Sequence, residues 1–187
     1  MEFVDEIKIP KERVGVLVGR KGKTKKMIEN LLNVQIDVDS ETGDVEIISD
    51  DGLKLFKAKN VIYAIGRGFN PEIAKKLAED DYSLELIDIS EFGHTKNAKI
   101  RLRGRVIGKD GKARENLERL TNTNIEIYGK TVAIIGYSED VVLAKKAIEM
   151  LLSGAKHGTV YRFLEKINKR KRFEHMLDSV NTYYKME

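Results

Sequence analysis

Two short stretches of this chain combine residues that could do chemistry. In VGVLVGRKGKTKKMIE, Val14–Glu29, Gly19 and Gly22 bracket Arg20 and Lys21, and Lys23 and Lys25 follow directly. In VIGKDGKARENLE, Val106–Glu118, Gly108 and Gly111 bracket Lys109 and Asp110, with Arg105 ahead and Lys112 and Arg114 behind. A Gly-x-x-Gly turn lets backbone approach a ligand with no Cβ in the way. Where a helix follows the turn, its first amides and its dipole favour an anion at that end. Cations around bare backbone therefore make a phosphate-binding edge, one that admits a sugar-phosphate chain and neutralises it.

Other phosphate and metal chemistry fits less well. A nucleotide P-loop needs G-x-x-x-x-G-K-[ST]. Gly15-Val-Leu-Val-Gly19 is one residue short and lacks the Lys-Ser/Thr sequel. Gly19-Arg-Lys-Gly22-Lys23-Thr24 ends correctly but has two intervening residues instead of four. The chain has no cysteine, which excludes disulfides and thiolate metal sites, and His94, His157 and His175 have neither metal-like spacing nor a nucleophile beside them. Asp50–Asp51 and Asp80–Asp81 could be imagined as a two-metal nuclease centre, but neighbours on one turn rarely converge on an ion, so they read as solvated acidic surface. The expectation is a binding protein without metal or cofactor rather than an enzyme.

Charge supports local anion binding. The net charge is only +4, but Lys11–Lys26 holds seven cations against one acid, and Arg101–Arg119 seven against three. Between them Asp37–Asp51 holds seven acids and no base, and Glu72–Glu91 seven acids against two bases. Alternating blocks of this kind mark localised surfaces rather than a uniformly sticky protein. With 41% hydrophobic and 34% charged residues, the composition is that of a soluble globular protein. No apolar run approaches the ~18 residues of a membrane span, and MEFVDEIKIP lacks the layout of a secretion signal. A cytoplasmic protein with no membrane contact is expected.

The two loops belong to a repeat. Shifting the chain by 89 residues superposes Gly19, Gly22 and Lys23 on Gly108, Gly111 and Lys112. Ile28 and Leu31 then meet Leu117 and Leu120, Asn33 meets Asn122, and Ile36 meets Ile125. Each copy reads as strand, short helix, glycine turn, helix, strand, strand, helix. In the first copy EIKIP is the strand, Lys11–Val18 the short helix, and Met27, Ile28, Leu31 and Leu32 the core stripe of the next helix. In the second copy Ser83–Ile89 is the strand, Lys96–Ile107 the helix, and Ser138 caps the last helix. Between the copies Asn70–Asp81 reads as a helix with Pro71 at its first position. From Gly158 to Glu187 the pattern is a terminal helix with Tyr161, Phe163, Leu164, Ile167, Phe173, Met176, Leu177 and Val180 available for packing, and some of these are expected to cover a domain surface and so tie the units together.

Val-Gly-Arg-Lys-Gly-Lys and Ile-Gly-Lys-Asp-Gly-Lys, each within that element order, resemble KH domains, whose loop clamps about four nucleotides of single-stranded nucleic acid. Two strands and a helix after the loop helix match the type I arrangement. Nearly the whole chain, including GRVIGKDGKARENLERLTNTNIEIYGKTVAIIG, is similar to the archaeal two-KH ribosome-assembly proteins related to the eukaryotic partner of Nob-one, or Dim-two. The resemblance implies an α+β fold of two tandem type I KH domains, each a three-stranded sheet with three helices, plus an extra C-terminal helix. It implies limits of 1–69, a linker at 70–82, a second domain at 83–157 and an extension at 158–187. It also implies a non-catalytic protein that binds near the 3′ end of small-subunit ribosomal RNA and contacts the endonuclease Nob-one and the alpha subunit of translation initiation factor two. A KH adaptor of an RNA degradation or transcription complex is the alternative.

In such a fold, Val18, Ile28, Ile36 and Val38 in the first copy, and Ile107, Leu117, Ile125 and Ile127 in the second, are the groove candidates, with Val18 and Ile107 foremost. The RNA-binding set expected from motif and resemblance is Val18, Gly19, Arg20, Lys21, Gly22, Lys23, Lys25 and Ile36, with Arg105, Ile107, Gly108, Lys109, Gly111, Lys112 and Arg114. Asp110 opposes a phosphate: a carboxylate about 4 Å away costs on the order of 1 kcal/mol even with water-like screening. Either the second copy binds RNA with Asp110 turned outward, or it serves chiefly as a protein-docking module.

Overall fold

Proline sets the first junction. Pro10 has no N–H to give a strand or a helix interior, and its ψ of 138° turns the chain out of β1 (Phe3–Lys8) into α1 (Lys11–Val18). The strand thus begins earlier than the sequence suggests and stops two residues before the proline. After the glycine turn come α2 (Lys23–Leu32), β2 (Gln35–Val38), β3 (Asp44–Ser49) and α3 (Gly52–Gly66). These elements belong to a computed structural model that describes residues 2–184, with side chains described as far as Asp178. The second copy repeats the order in β4 (Tyr82–Asp88), α5 (Lys96–Ile107), α6 (Lys112–Thr121), β5 (Asn124–Tyr128), β6 (Thr131–Tyr137) and α7 (Ser138–Leu152). Each copy forms an antiparallel three-stranded sheet, ordered β1-β3-β2 and β4-β6-β5. Both are the α+β units expected from the repeat.

Local chemistry explains several boundaries. Asp51 caps α3 by accepting from the amides of Leu53 and Lys54, at 2.8 and 3.3 Å, and Thr95 caps α5 by accepting from Ala98 N at 3.1 Å. Asn33 and Asn122 end α2 and α6 in the left-handed conformation, with φ of 51° and 54°. Ser138 is not the N-cap of α7; it is the first helical residue, and its hydroxyl donates to the Asp81 carbonyl at 3.3 Å. The linker helix is shorter than the periodicity predicts. Asn70 caps α4 (Pro71–Ala74), a tighter 3-10 turn follows over Lys75–Ala78, and Glu79 is already extended.

The two units share a seam formed by β6. Thr131 to Gly136 are all buried, so both faces of this central strand are covered. Val132 and Ile134 enter the second unit's core beneath α5, α6 and α7. Ala133 and Ile135 point the other way and pack in the first unit's core with Leu77 of the linker. Burying the far sheet face removes apolar surface at roughly 25 cal/mol per Å², and this seam joins the units.

Among the described residues, the terminal helix α8 (His157–Tyr184) does not tie them. It packs on α6 and α7 of its own unit through Val160 and Leu164, and Asn168 donates to the Leu120 carbonyl at 2.7 Å. Phe173, Met176 and Leu177 stay exposed, and the expectations for Val180 and for residues 185–187 fall outside the described side chains and residues. This helix also explains a failed expectation. Leu31 is 51% exposed although Leu120, its repeat partner, is 8% exposed, because α8 covers only the second copy.

Candidate nucleic-acid interface

The first loop joins the C-terminus of α1 to the N-terminus of α2. Gly19 (φ 73°) and Gly22 (φ 75°) take backbone conformations that disfavour side chains, and a Cβ on Gly19 would stand 2.3 Å from the Thr24 hydroxyl. The second loop superposes on it: Gly108 and Gly111 have φ of 74° and 75°, and a Cβ on Gly108 would meet Ala113 at 2.5 Å. The first glycine thus allows the loop to fold tightly onto the next helix. The second has open space beside it, so its role is conformational. Arg20 and Lys21, and Lys109 and Asp110, are exposed at the tips. No side chain caps α2 or α6, which leaves both positive helix ends facing the loops.

The cations divide into two groups. Arg20, Lys21, Lys23 and Lys26 in the first copy, and Lys109 and Lys112 in the second, are exposed and have no ion pair among the described residues. Lys25 is partly committed, 3.9 Å from Glu29. Arg114 is held in a fork by Glu126, with nitrogen–oxygen distances of 2.9 and 3.1 Å, and its Nε lies 3.6 Å from Glu118. Arg105 points inward: its Nε donates to the Leu151 carbonyl at 3.0 Å and its Nη2 to the Ala155 carbonyl. Its cation therefore satisfies the C-terminal end of α7, as Arg13 does for Ile65 and Phe69 at 2.8 and 2.9 Å in the first copy. Neither Arg105 nor Arg114 offers a free cation to a phosphate.

The apolar candidates also divide. Ile36 is 1% exposed and packs in the first core with Ile28, while Leu117 and Ile125 fill the second. Alternation along β2 puts Gln35 and Asp37 outward, so Ile36 must face the helices. Val18, Val38, Ile107 and Ile127 remain half-buried, and these four carry the apolar surface beside the loops.

Glu29 and Glu118 were not singled out by motif. Each accepts from the backbone amide at the start of the following strand, Ile36 N at 3.0 Å and Ile125 N at 2.7 Å, and so fixes the loop helix against the sheet. Their recurrence at the 89-residue offset is the sequence signal that could have found them. Tyr128, near the end of β5, reaches the first unit instead and donates its phenol to Glu12 on α1. That bond holds the Glu12 carboxyl below its ordinary value and the Tyr128 phenol above its own. Among the described residues, no group of His, Asp and Glu could hold a metal ion, and no helix is long and apolar enough to cross a membrane.

Two sheets of this topology, each with a Gly-x-x-Gly turn between its first two helices, define tandem type I KH domains. Residues 83–169 match the model of a eukaryotic type KH-domain (KH-domain type I), and residues 4–64 match that of a KH domain. A KH domain-containing protein of Methanocaldococcus jannaschii is 51% identical over 178 residues, covering 91% of this chain and 78% of that protein. The pre-rRNA-processing protein PNO1 of Chaetomium thermophilum is 28% identical over 174 residues, covering 88% of this chain and 66% of the relative. Among solved structures, Dim2p in the a/eIF2alpha-aDim2p-rRNA complex of Pyrococcus horikoshii is 43% identical with a TM-score of 0.85, over 90% of this chain and 96% of that one. The chain belongs to the family of two-KH-domain proteins that includes archaeal Dim2 and eukaryotic PNO1.

Proposed function

We propose that this protein binds single-stranded RNA near the 3′ end of small-subunit ribosomal RNA during its maturation, acting by binding rather than by catalysis, in the cytoplasm. One observation carries the reading: two superposable, solvent-facing Gly-x-x-Gly turns, each at an uncapped helix N-terminus and ringed by cations without an ion pair among the described residues. Phosphate contacts fall to Arg20, Lys21, Lys23 and Lys25 in the first domain and to Lys109 and Lys112 in the second, with Gly19, Gly22, Gly108 and Gly111 admitting the backbone. Val18 and Ile107, helped by Val38 and Ile127, offer the apolar surface for bases. The rRNA-bound relative from Pyrococcus and the pre-rRNA-processing relative from Chaetomium support rRNA as the ligand.

The proposed domain limits are 1–69 and 83–157, joined by 70–82 and followed by the extension 158–187. By kinship, the alpha subunit of translation initiation factor two is a protein partner, and the endonuclease Nob-one is a second. Crosslinking the tagged protein to RNA in its native cells tests the reading. Reads concentrated at the small-subunit rRNA 3′ end are expected, and reads dispersed over messenger RNAs would contradict it.

A further inference from the structure

Beyond the buried Val160 and Leu164, three features seat α8 on α6 and α7 of the second unit. Leu120 is covered, its carbonyl accepts from Asn168 at 2.7 Å, and the Lys171 ammonium lies 3.3 Å from Asp140 and 3.7 Å from Glu139. The first unit carries the matching positions. Leu31 aligns with Leu120 at the 89-residue shift. Nineteen residues separate α2 from α3 and sixteen separate α6 from α7, so the last helices align at a shift of 86, with Ala58 on Ala144 and Ile62 on Ile148. Leu53 and Lys54 therefore stand where the second unit has Glu139 and Asp140.

Among the described residues nothing fills this seat. The 3-10 turn Lys75–Ala78 stands against α2 and α3 as α8 stands against α6 and α7, but the chain is extended from Glu79 and leaves for β4. Leu31 and Leu53 remain exposed, the Leu31 carbonyl has no donor like Asn168, and Lys54 has no ion pair. Leu31 also lies at the end of α2 remote from the glycine loop, so the seat and the loop can be occupied together.

The charge of the seat is inverted. Where α8 brings a cation to two acids, the first unit offers a leucine and a cation. The α8 of a second copy is a poor occupant, because its Arg170, Lys171 and Arg172 would approach Lys54 as water is displaced, and like charges repel more strongly there than in water. RNA suits the seat no better, since a phosphate gains nothing from Leu31 and Leu53. Exposed leucines on two adjoining helices fit the apolar stripe of a third helix. Lys54 calls for a carboxylate where α8 has Lys171.

We infer that Leu31, Leu53 and Lys54 form a docking seat on the first unit for an amphipathic helix of a partner protein, one that carries an acid at the station of Lys171. The seat stands independently of the RNA-binding reading.

The probe is a fluorescein-labelled peptide with the sequence of residues 164–178 and Lys171→Glu, held helical by a hydrocarbon staple on its solvent side. The unaltered sequence, stapled alike, is the control. In the full chain α8 already fills its own seat, so both peptides report on the first unit. The Lys171→Glu peptide should bind the parent at least tenfold more tightly than the control. Lys54→Glu should reverse that preference, and Leu53→Asp should abolish binding of both peptides. Each substitution places an acid in the first turn of α3, where the helix dipole favours it, so melting temperatures should stay near the parent's. No binding of the Lys171→Glu peptide to the parent, or equal binding of the two peptides, would overturn the inference. A parent that sediments as a dimer and becomes monomeric with Leu53→Asp would assign the seat to a second copy. A more than tenfold loss of RNA affinity in folded Lys54→Glu would assign it to RNA, and either result would also overturn the inference.

Discussion

Lys21 and Asp110 occupy the same left-handed backbone station, with φ of 56° and 53°, at the centre of two superposable turns. That equivalence bears on why an acid sits in a phosphate-binding loop. Aspartate and asparagine tolerate left-handed φ better than most residues, because a short polar side chain can satisfy the local backbone. Asp110 is thus well matched to the turn's geometry and poorly matched to its ligand. Asp110→Asn keeps the conformational fit and removes the charge. It should tighten RNA binding by about fivefold, the equivalent of ~1 kcal/mol at 4 Å in water-like screening, with no change in melting temperature. Fluorescence anisotropy decides, and weaker binding would mean that Asp110 itself contacts RNA.

The two classes of cation predict opposite phenotypes. Arg105→Ala strips a guanidinium from the Leu151 and Ala155 carbonyls and should cost about 1–3 kcal/mol of stability, with RNA affinity nearly unchanged at temperatures where the variant is folded. Lys109→Ala with Lys112→Ala should leave thermal unfolding in place and reduce affinity. Each lost phosphate contact should also lower the slope of log K against log salt by about 0.7. Reversal of the two patterns would refute the division.

Leu31 and Leu120 share a repeat position but not a surrounding. Leu120→Ala removes a side chain buried under α8 and should destabilise by about 2–5 kcal/mol. Leu31→Ala, on an exposed face, should fall within about 0.5 kcal/mol of the parent. Chemical denaturation of both variants measures this, and comparable losses would show that Leu31 is covered in solution.

The bond between Glu12 and Tyr128 makes one contact across the units pH-dependent. It holds the Glu12 carboxyl below its ordinary 4.5 and the Tyr128 phenol above its ordinary 10.0. The contribution is complete between those two values. The Glu12 part is lost as pH falls through its lowered folded value, and the Tyr128 part as pH rises through its raised one. Tyr128→Phe should therefore melt below the parent near pH 7, and the two curves should converge in strong acid and in strong alkali. A gap that persists unchanged from pH 2 to pH 12 would rule the bond out as its source.

Much of this architecture is legible in the sequence because the repeat supplies an internal second reading. Lys96–Ile107 is ambiguous alone, since NAKIRLR alternates like a strand, yet the first copy requires a helix before the glycines, and one is found with those limits. Asn33 and Asn122 betray both helix ends in the same way. What stayed hidden depends on partners distant in sequence. Nothing near Arg105 announces the carbonyls of Leu151 and Ala155, and nothing near Arg114 announces Glu126 on the next strand. Proximity to the loop made both look like phosphate ligands. The seam was equally silent, because the run from Thr131 to Gly136 is apolar on both faces and does not say what covers the second one. Ile36 is undecided in the sequence for a simpler reason: a β-branched residue after the loop suits core and groove alike, and only the strand's orientation puts it in the core.

The central claim is that the two glycine turns are the RNA clamp. Gly22 and Gly111 have open space where a Cβ would stand, so aspartate meets no clash there, and the strain of its positive φ is smaller than for most residues. The most direct measurement is the affinity of the Gly22→Asp, Gly111→Asp double variant for single-stranded rRNA across a salt titration, with its melting temperature recorded alongside. A loss of more than tenfold at low salt, a shallower salt slope and a cooperative melt lowered only by the strain of two side chains at positive φ are the predicted result. A folded double variant that binds as tightly as the parent, with the same salt slope, would contradict it.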